Sequence, residues 1–374
     1  MSQPAFISVS EPLLDGNEKK YLAQCIDTGW ISSEGPFVKR FEREFSAQVG
    51  RKHGVAVCNG TVAIDAAIEA LGIGPGDEVI MPTFTIISCI GQIVRCGAIP
   101  VLVDSDPTTW NMDVTQIEAR ITSRTKAIMM VHIFGLPVDV GPVLDIARRH
   151  GLRLIEDAAQ MHGQTHNGRP CGSFGDISTF SFYSNKLITT GEGGMIVTND
   201  DALAETCASL RNLCFQPGRR FVHERLGWNL RMTNLQAAMG VAQLERIDEF
   251  ASRKRAMGAR YSELLSGTEG LNLPLSRTSY AENIYWVYGV VLDDSVEFDA
   301  AEAMRRLAGM NVGCRPFFHP MHQQPVLERL GLFDGQTYPV AERLSQRGFY
   351  IPSSITITSE QMVHVAGAIR KILA

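Results

Sequence analysis

Gly54-Val-Ala-Val-Cys58, the amphipathic run Thr61–Leu71 and then Glu78-Val-Ile-Met81 follow one another directly along the chain. Short apolar runs separated by helix-length amphipathic ones have the β-α-β rhythm of a sheet covered by helices on both faces. The rhythm continues through Ile87–Cys96, Pro100-Val-Leu-Val-Asp104, Lys126-Ala-Ile-Met-Met-Val131, Pro142–His150 and Leu152-Arg-Leu-Ile-Glu-Asp157, and occupies most of the N-terminal half. Several of these runs are apolar throughout, as strands buried on both faces must be. The fold class predicted is α/β, with a mostly parallel central sheet.

The texture changes near residue 234. Asn234 opens a helical pattern carried by Leu244, Ile247, Phe250, Met257 and Leu265, which predicts one long helix or two joined ones. Ile284-Tyr-Trp-Val-Tyr-Gly-Val-Val-Leu292 has the composition of a strand, and a helix is expected over Asp299–Gly309. Thr358-Ser-Glu-Gln361 is a capping-box pattern that opens a final helix to Leu373. The expected division is a large α/β domain over 1–240 and a smaller α+β domain over 241–374.

Composition narrows the function. The chain has 374 residues, 45% hydrophobic and 20% charged, with a formal net charge of −5 and no Lys/Arg run that stands out, so nucleic acid is not an expected partner. The eight cysteines lie in apolar stretches without C-x-x-C spacing and read as reduced thiols, which predicts a cytoplasmic protein. No apolar stretch approaches the roughly 18 residues of a membrane span. His319-Pro-Met-His322 has no second cluster of metal-ligating residues beside it, so no metal is expected.

Four segments carry chemistry. Ser181-Phe-Tyr-Ser-Asn-Lys186 runs into Leu-Ile-Thr-Thr-Gly-Glu-Gly-Gly194; a lysine in a short apolar, Gly-rich connection loses water, which frees its amine as the nucleophile that a Schiff-base lysine requires. Cys58-Asn59-Gly60-Thr61 lies between a strand and a helix, where free N–H groups favour a phosphate. Asp157 ends an apolar strand, the place where open α/β sheets put ligand-binding residues. Ser181 stands five positions before Lys186, so its hydroxyl would reach the same phosphate while the lysine reaches the aldehyde. Each has an ordinary alternative when taken alone: a solvated hairpin lysine, an N-cap, a loop salt bridge, a strand-end serine. Together they make sense as a site for pyridoxal 5'-phosphate, whose pyridine nitrogen an ionised Asp157 would keep protonated.

These residues, with Glu156-Asp-Ala-Ala-Gln160, Thr179-Phe-Ser-Phe-Tyr-Ser-Asn-Lys186, Thr190-Gly-Glu-Gly-Gly194 and Gly227-Trp-Asn-Leu-Arg-Met-Thr-Asn-Leu-Gln-Ala237, resemble the DegT/StrS family of nucleotide-sugar aminotransferases over nearly the whole chain. The resemblance implies the fold-type-I aminotransferase architecture and a homodimer with active sites at the subunit interface. It places the cofactor on Lys186, Asp157 at the pyridine nitrogen and Gln160 near the ring hydroxyl. Gly60, Thr61 and Ser181 would hold the phosphate, and Asn229 would reach the phosphate of the neighbouring subunit. Leu14–Glu18, Asp27–Ser33 (with Trp30 and Ser32), Arg219–Phe221, Arg231–Asn234 and Arg315–His322 are similar to members that use L-glutamate to aminate C4 of GDP-4-keto-6-deoxymannose. Arg219, Arg220 and Arg315 are further candidates for substrate contacts, because guanidinium groups match phosphate oxygens in bidentate geometry, and His319, in a loop after an arginine, is another as a hydrogen-bonding group. Three positions depart from the pattern: Ile86 stands where an aromatic residue commonly covers the cofactor, Gln160 where these members carry Glu, and Ser184 where Gly precedes Asn-Lys.

Overall fold

Seven strands form the main sheet of the computed structural model, which describes residues 5–216, 218–219 and 221–374. They are β1 (His53–Val57), β2 (Glu78–Pro82), β3 (Ile99–Val103), β4 (Thr125–Val131), β5 (Arg153–Asp157), β6 (Ile177–Ser181) and β7 (Gly194–Thr198). Their order across the sheet is β1-β7-β6-β5-β4-β2-β3. β7 runs antiparallel to both its neighbours and the remaining pairs are parallel. All but one of the strand carboxyl ends therefore face the same edge of the sheet.

The pleat sends successive side chains to opposite faces. Val55, Val57, Met129, Val131 and Ile155 pack against the Gly60–Ala70 helix, whose Ala63, Ala66 and Ala67 let it lie close. On the other face, Ala56, Phe180, Met195 and Val197 meet Phe41 and Phe45 of the Pro36–Gln48 helix and Val241 of the Asn234–Leu244 helix. Ile128, Met130 and Leu154 meet Val143 and Ile146 of the Val140–His150 helix. A strand covered on both faces needs apolar residues at every position, which is why β4 reads as a continuous run from Ala127 to Val131.

The helical pattern after residue 234 is two helices, Asn234–Leu244 and Ile247–Leu265. The first is opened by a capping box between Thr233 and Gln236, and the expected box of Thr358 and Gln361 opens the last helix, Ser359–Leu373. Four short antiparallel strands, β8 (Leu271–Asn272), β9 (Tyr288–Leu292), β10 (Arg315–Pro316) and β11 (Gly348–Ile351), form a second sheet in the order β8-β9-β11-β10. Tyr261, Tyr288, Phe349 and Ile369 are fully buried in the core beneath it. The expected strand from Ile284 is shorter than its composition suggests: pairing begins only at Tyr288. Tyr285 sits at φ +52°, and the N–H of Ile284 donates to the carbonyl of Gly135 instead of to a neighbouring strand. Residues 284–287 are apolar because they are buried in a loop between the two sheets' cores, Ile284, Trp286 and Val287 against the main sheet's and Tyr285 against the second's, a cause that periodicity cannot separate from a strand. Among the described residues no helix is long and apolar enough to cross a membrane.

At the end of β5, Glu156 and Asp157 point to opposite faces. Glu156 is fully buried and accepts from the N–H groups of Gly172 (2.5 Å), Phe174 (2.8 Å) and Gly175 (3.2 Å), the hydroxyl of Ser178 (2.9 Å) and Nε2 of His132 (3.2 Å). The N–H of Val138 donates to Nδ1 of His132, which leaves the ring proton on Nε2, aimed at Glu156. Burial alone would raise the Glu156 carboxyl, but the His132 and backbone donors hold it at about 2. Because this is below the ordinary 4.5, the charge stabilises the fold fully above pH 4.5, and that contribution is lost as the pH falls towards 2. Glu156→Gln, which turns an amide N–H towards these donors, is expected to cost about 3–5 kcal/mol at pH 7. The penalty should shrink in urea titrations between pH 4.5 and 3.

Candidate functional site

The main cavity, of about 790 Å³, opens beyond the carboxyl ends of the parallel strands and is lined by Val131, Asp157 and Ser181, the last residues of β4, β5 and β6. Gly60 and Thr61, the first residues of the helix that follows β1, also line it. Asn59 caps this helix by accepting from the N–H of Val62 at 3.0 Å, and the N–H groups of Gly60 and Thr61 belong to its cavity-facing first turn. A Cβ on residue 60 would come within 2.7 Å of the Cβ of Ser181, so only glycine lets the helix end approach that hydroxyl. The Thr61 hydroxyl lies 2.9 Å from that of Ser88, which begins the Ser88–Arg95 helix and also lines the cavity. Backbone N–H groups, a helix dipole and three hydroxyls converge here as an anion cradle.

Farther in, the Asp157 carboxylate is only 4% exposed. One oxygen accepts from the N–H of Ala159 at 2.9 Å and the other from the thiol of Cys89 at 3.3 Å. Burial keeps Cys89 well above the ordinary thiol range, so it remains a donor. Gln160 accepts from the N–H of Phe134 through Oε1 at 2.5 Å, leaving its amide N–H₂ as the group available to the cavity. Ile86 stands at the mouth, 46% exposed.

Lys186 enters from the loop between β6 and β7. The loop is held at its base by Thr190 N–H to the carbonyl of Phe182 and by Phe182 N–H to the carbonyl of Gly193. The amine lies 4.0 Å from the centroid of the Trp286 ring. Burial disfavours its ammonium form, Asp157 and Cys89 oppose that, and the balance is a value of about 8 in place of 10.5. An anion cradle, a carboxylate suited to a protonated ring nitrogen and a softened lysine amine in one cavity fit the phosphate, pyridine and aldehyde of pyridoxal 5'-phosphate.

Seven residues expected from the sequence thus share one cavity: Gly60, Thr61, Ile86, Asp157, Gln160, Ser181 and Lys186. Arg315 lies in an adjoining cavity that shares Tyr183, Asn185, Trp286 and Tyr350 with the first. Five others, Asn229, Trp30, Ser32, Arg219 and His319, lie outside the cavity of a single chain. Asn229 is exposed and bridges to Asn212. Trp30 and Ser32 are exposed, and their carbonyls accept from the side-chain and backbone N–H groups of Asn234. Arg219 pairs with Glu224 at 2.7 Å on the surface, and Nε2 of His319 faces the carbonyl of Gln323 at 2.8 Å. Arg220 lies outside the described residues. Trp286, Cys89 and Ser88 were not anticipated. Trp286 was hidden in the run read as a strand, whereas Cys89 and Ser88 belong to an amphipathic helix whose register towards the ligand no spacing rule reveals.

The state of Lys186 is measurable without substrate. In cofactor-free protein, the pH dependence of acetic anhydride labelling at Lys186, followed by peptide mass spectrometry, should have its midpoint near 8. A midpoint at the ordinary 10.5 would show that the cavity leaves the amine hydrated.

Residues 12–370 match the model of the DegT/DnrJ/EryC1/StrS aminotransferase family. The chain is 44% identical to a GDP-perosamine synthase of Caulobacter vibrioides, covering all of both proteins, and 41% identical to one of Vibrio cholerae, covering 97% of this chain and 98% of the other. Among solved structures, an aminotransferase from Psychrobacter cryohalolentis superposes with a TM-score of 0.91 at 30% identity, over 98% of each chain. With the lysine, the carboxylate and the anion cradle in one cavity, the protein belongs to the DegT/DnrJ/EryC1/StrS family of pyridoxal phosphate-dependent sugar aminotransferases.

Proposed function

We propose that the enzyme transfers the amino group of L-glutamate to the C4 ketone of a GDP-linked 4-keto-6-deoxy sugar, converting GDP-4-keto-6-deoxymannose to GDP-perosamine. The observation that carries the chemistry is the Lys186 amine, desolvated in the same cavity as Asp157 and the anion cradle. The choice of sugar is supported by full-length relatives named GDP-perosamine synthase.

When bound, pyridoxal phosphate supplies the electron sink that makes a C–H bond beside nitrogen acidic. The chain's residues do the rest. Gly60, Thr61 and Ser181 would hold its phosphate, Asp157 would keep a proton on its ring nitrogen, and Gln160 would donate to its ring oxygen. Lys186 would supply the nucleophilic amine and, as acid and base at Nζ, take up and return the proton of the amino-bearing carbon; a value of about 8 suits the amine to both roles near neutral pH. Ile86, which lines the cavity, would offer the ring an aliphatic surface. Arg315, in the adjoining cavity, is placed for an anionic part of the substrate.

We assign the active unit to a homodimer. Asn229 follows exposed Leu226 (90%) and Trp228 (55%), large apolar side chains that a second copy would cover. In that arrangement Asn229 completes the partner's phosphate site.

Lys186→Ala is expected to abolish turnover with the fold intact, and the parent, loaded with cofactor, should absorb visible light and bleach when glutamate is added. An active Lys186→Ala variant would sink the assignment. Across GDP-, UDP- and dTDP-linked 4-keto-6-deoxy sugars, the GDP substrate should lead in kcat/KM by orders of magnitude; a UDP or dTDP winner would overturn the sugar assignment and leave the aminotransferase one standing. Asn229→Ala should weaken cofactor retention roughly ten- to a hundredfold, as for a lost hydrogen bond to a charged phosphate, and loosen the dimer with it. Retention equal to the parent's in a monomer would place each site within one chain.

A further inference from the structure

Lys254 is a second lysine that the fold removes from water, and the reaction gives it no role. It lies in the middle of the Ile247–Leu265 helix, 4% exposed, and among the described residues no carboxylate pairs with it. Its ammonium group donates to the carbonyl of Trp286 at 2.7 Å and to the carbonyl of Ser353. Burying a cation with only two carbonyls for company is unfavourable, and burial pulls this one down to about 7. What the fold obtains in return is a fixed backbone at Trp286.

Everything around Trp286 serves the same end. The indole N–H donates to the carbonyl of Asn185, one residue before Lys186, at 2.9 Å. Tyr285 turns the chain at φ +52°, with its N–H donating to Oδ1 of Asn283 at 2.7 Å. Gly135, at φ +103°, lies so close beneath the loop that a Cβ there would come within 2.5 Å of the Trp286 nitrogen. Phe134 stacks 6.4 Å from the indole, and its own N–H holds Gln160. The ring is thus fixed through its backbone, its N–H and its neighbour, with a face turned to the Lys186 amine.

We propose that the face of Trp286 is the seat of the Lys186 ammonium whenever that amine is not covalently engaged, and that Lys254 is the positioning residue that keeps the seat in place. The inference rests on the reading of Lys186 as the reacting amine. An aromatic face attracts a cation without accepting a proton, so it steadies the charge near the reacting atoms and lets the proton go. A carboxylate in its place would hold the ammonium far more firmly. The other titratable groups facing Lys186 are Asp157 from β5, Cys89 from the Ser88–Arg95 helix and His162 from the turn after β5. Asp157 and Cys89 favour the ammonium, whereas burial keeps His162 neutral, at about 3.

The test is the Lys186 labelling midpoint in cofactor-free protein. Replacing the four tryptophans with 5-fluorotryptophan and then 5,7-difluorotryptophan weakens the ring's negative face with little change of shape. The midpoint should fall stepwise, by about half to one pH unit in total; a midpoint indifferent to fluorination would overturn the seat. Trp286→Leu separates the two roles by sign, because loss of the seat lowers the midpoint, whereas loss of a mere cover admits water and raises it towards 10.5. Lys254→Met should lower it in the same direction and Lys254→Arg should restore it; no change in a folded Lys254→Met protein would overturn that residue's role. Borohydride reduction of the loaded enzyme gives an independent control. Failure to fix cofactor on Lys186 would defeat the aminotransferase reading, while the midpoints, measured without cofactor, judge the seat alone.

Discussion

Two adjacent carboxylates at the end of a β-strand must point to opposite faces, and Glu156 and Asp157 turn this constraint into the frame of the site. Glu156 gathers N–H groups from residues 172, 174 and 175 and the hydroxyl of Ser178, so the chain entering β6 is tied to the end of β5. β6 in turn presents Ser181 to Gly60 and leads into the loop that carries Lys186. The buried carboxylate therefore sets where its neighbour, the cavity carboxylate, stands relative to the nucleophile, while being screened from the ligand by the sheet itself.

The opposite face combines features that would be unfavourable singly. Asp157 is buried with one N–H and one weak thiol donor, which leaves it able to accept a proton-bearing partner. Lys186 is desolvated enough to soften its ammonium, yet lies in the field of that carboxylate, and the two influences meet near 8. Neither burial nor the carboxylate would by itself leave the amine useful near neutral pH: burial alone would strip its proton, and the carboxylate alone would lock the proton on.

The C-terminal unit completes the cavity as well as covering it. Trp286 and Tyr350 reach the site from the loop before β9 and from β11, and Phe318 from the segment after β10. Close backbone approach at Gly135 and the turn at Tyr285 let the loop enter between the two cores. Its apolar composition answers to that burial, and the same composition made it look like strand.

The sequence alone determined the alternation of strands and helices, because strands buried on both faces must be apolar throughout and connecting helices must be amphipathic, and both patterns survive in one dimension. It also determined the cavity-lining residues that sit at strand ends and helix starts, Gly60, Thr61, Asp157 and Ser181, since the backbone there already aims them at one edge of the sheet, and Lys186, whose short apolar and Gly-rich connection marks it in the sequence. Only the tertiary structure decided that Asp157 leans on Cys89, that Gln160 is oriented by Phe134, and that Lys186 rests against Trp286, a hundred residues away in the chain. These contacts depend on loop paths and on the docking of the two sheets. Their energies are set by distance and exclusion of water, and neither quantity leaves a period or a spacing in the sequence.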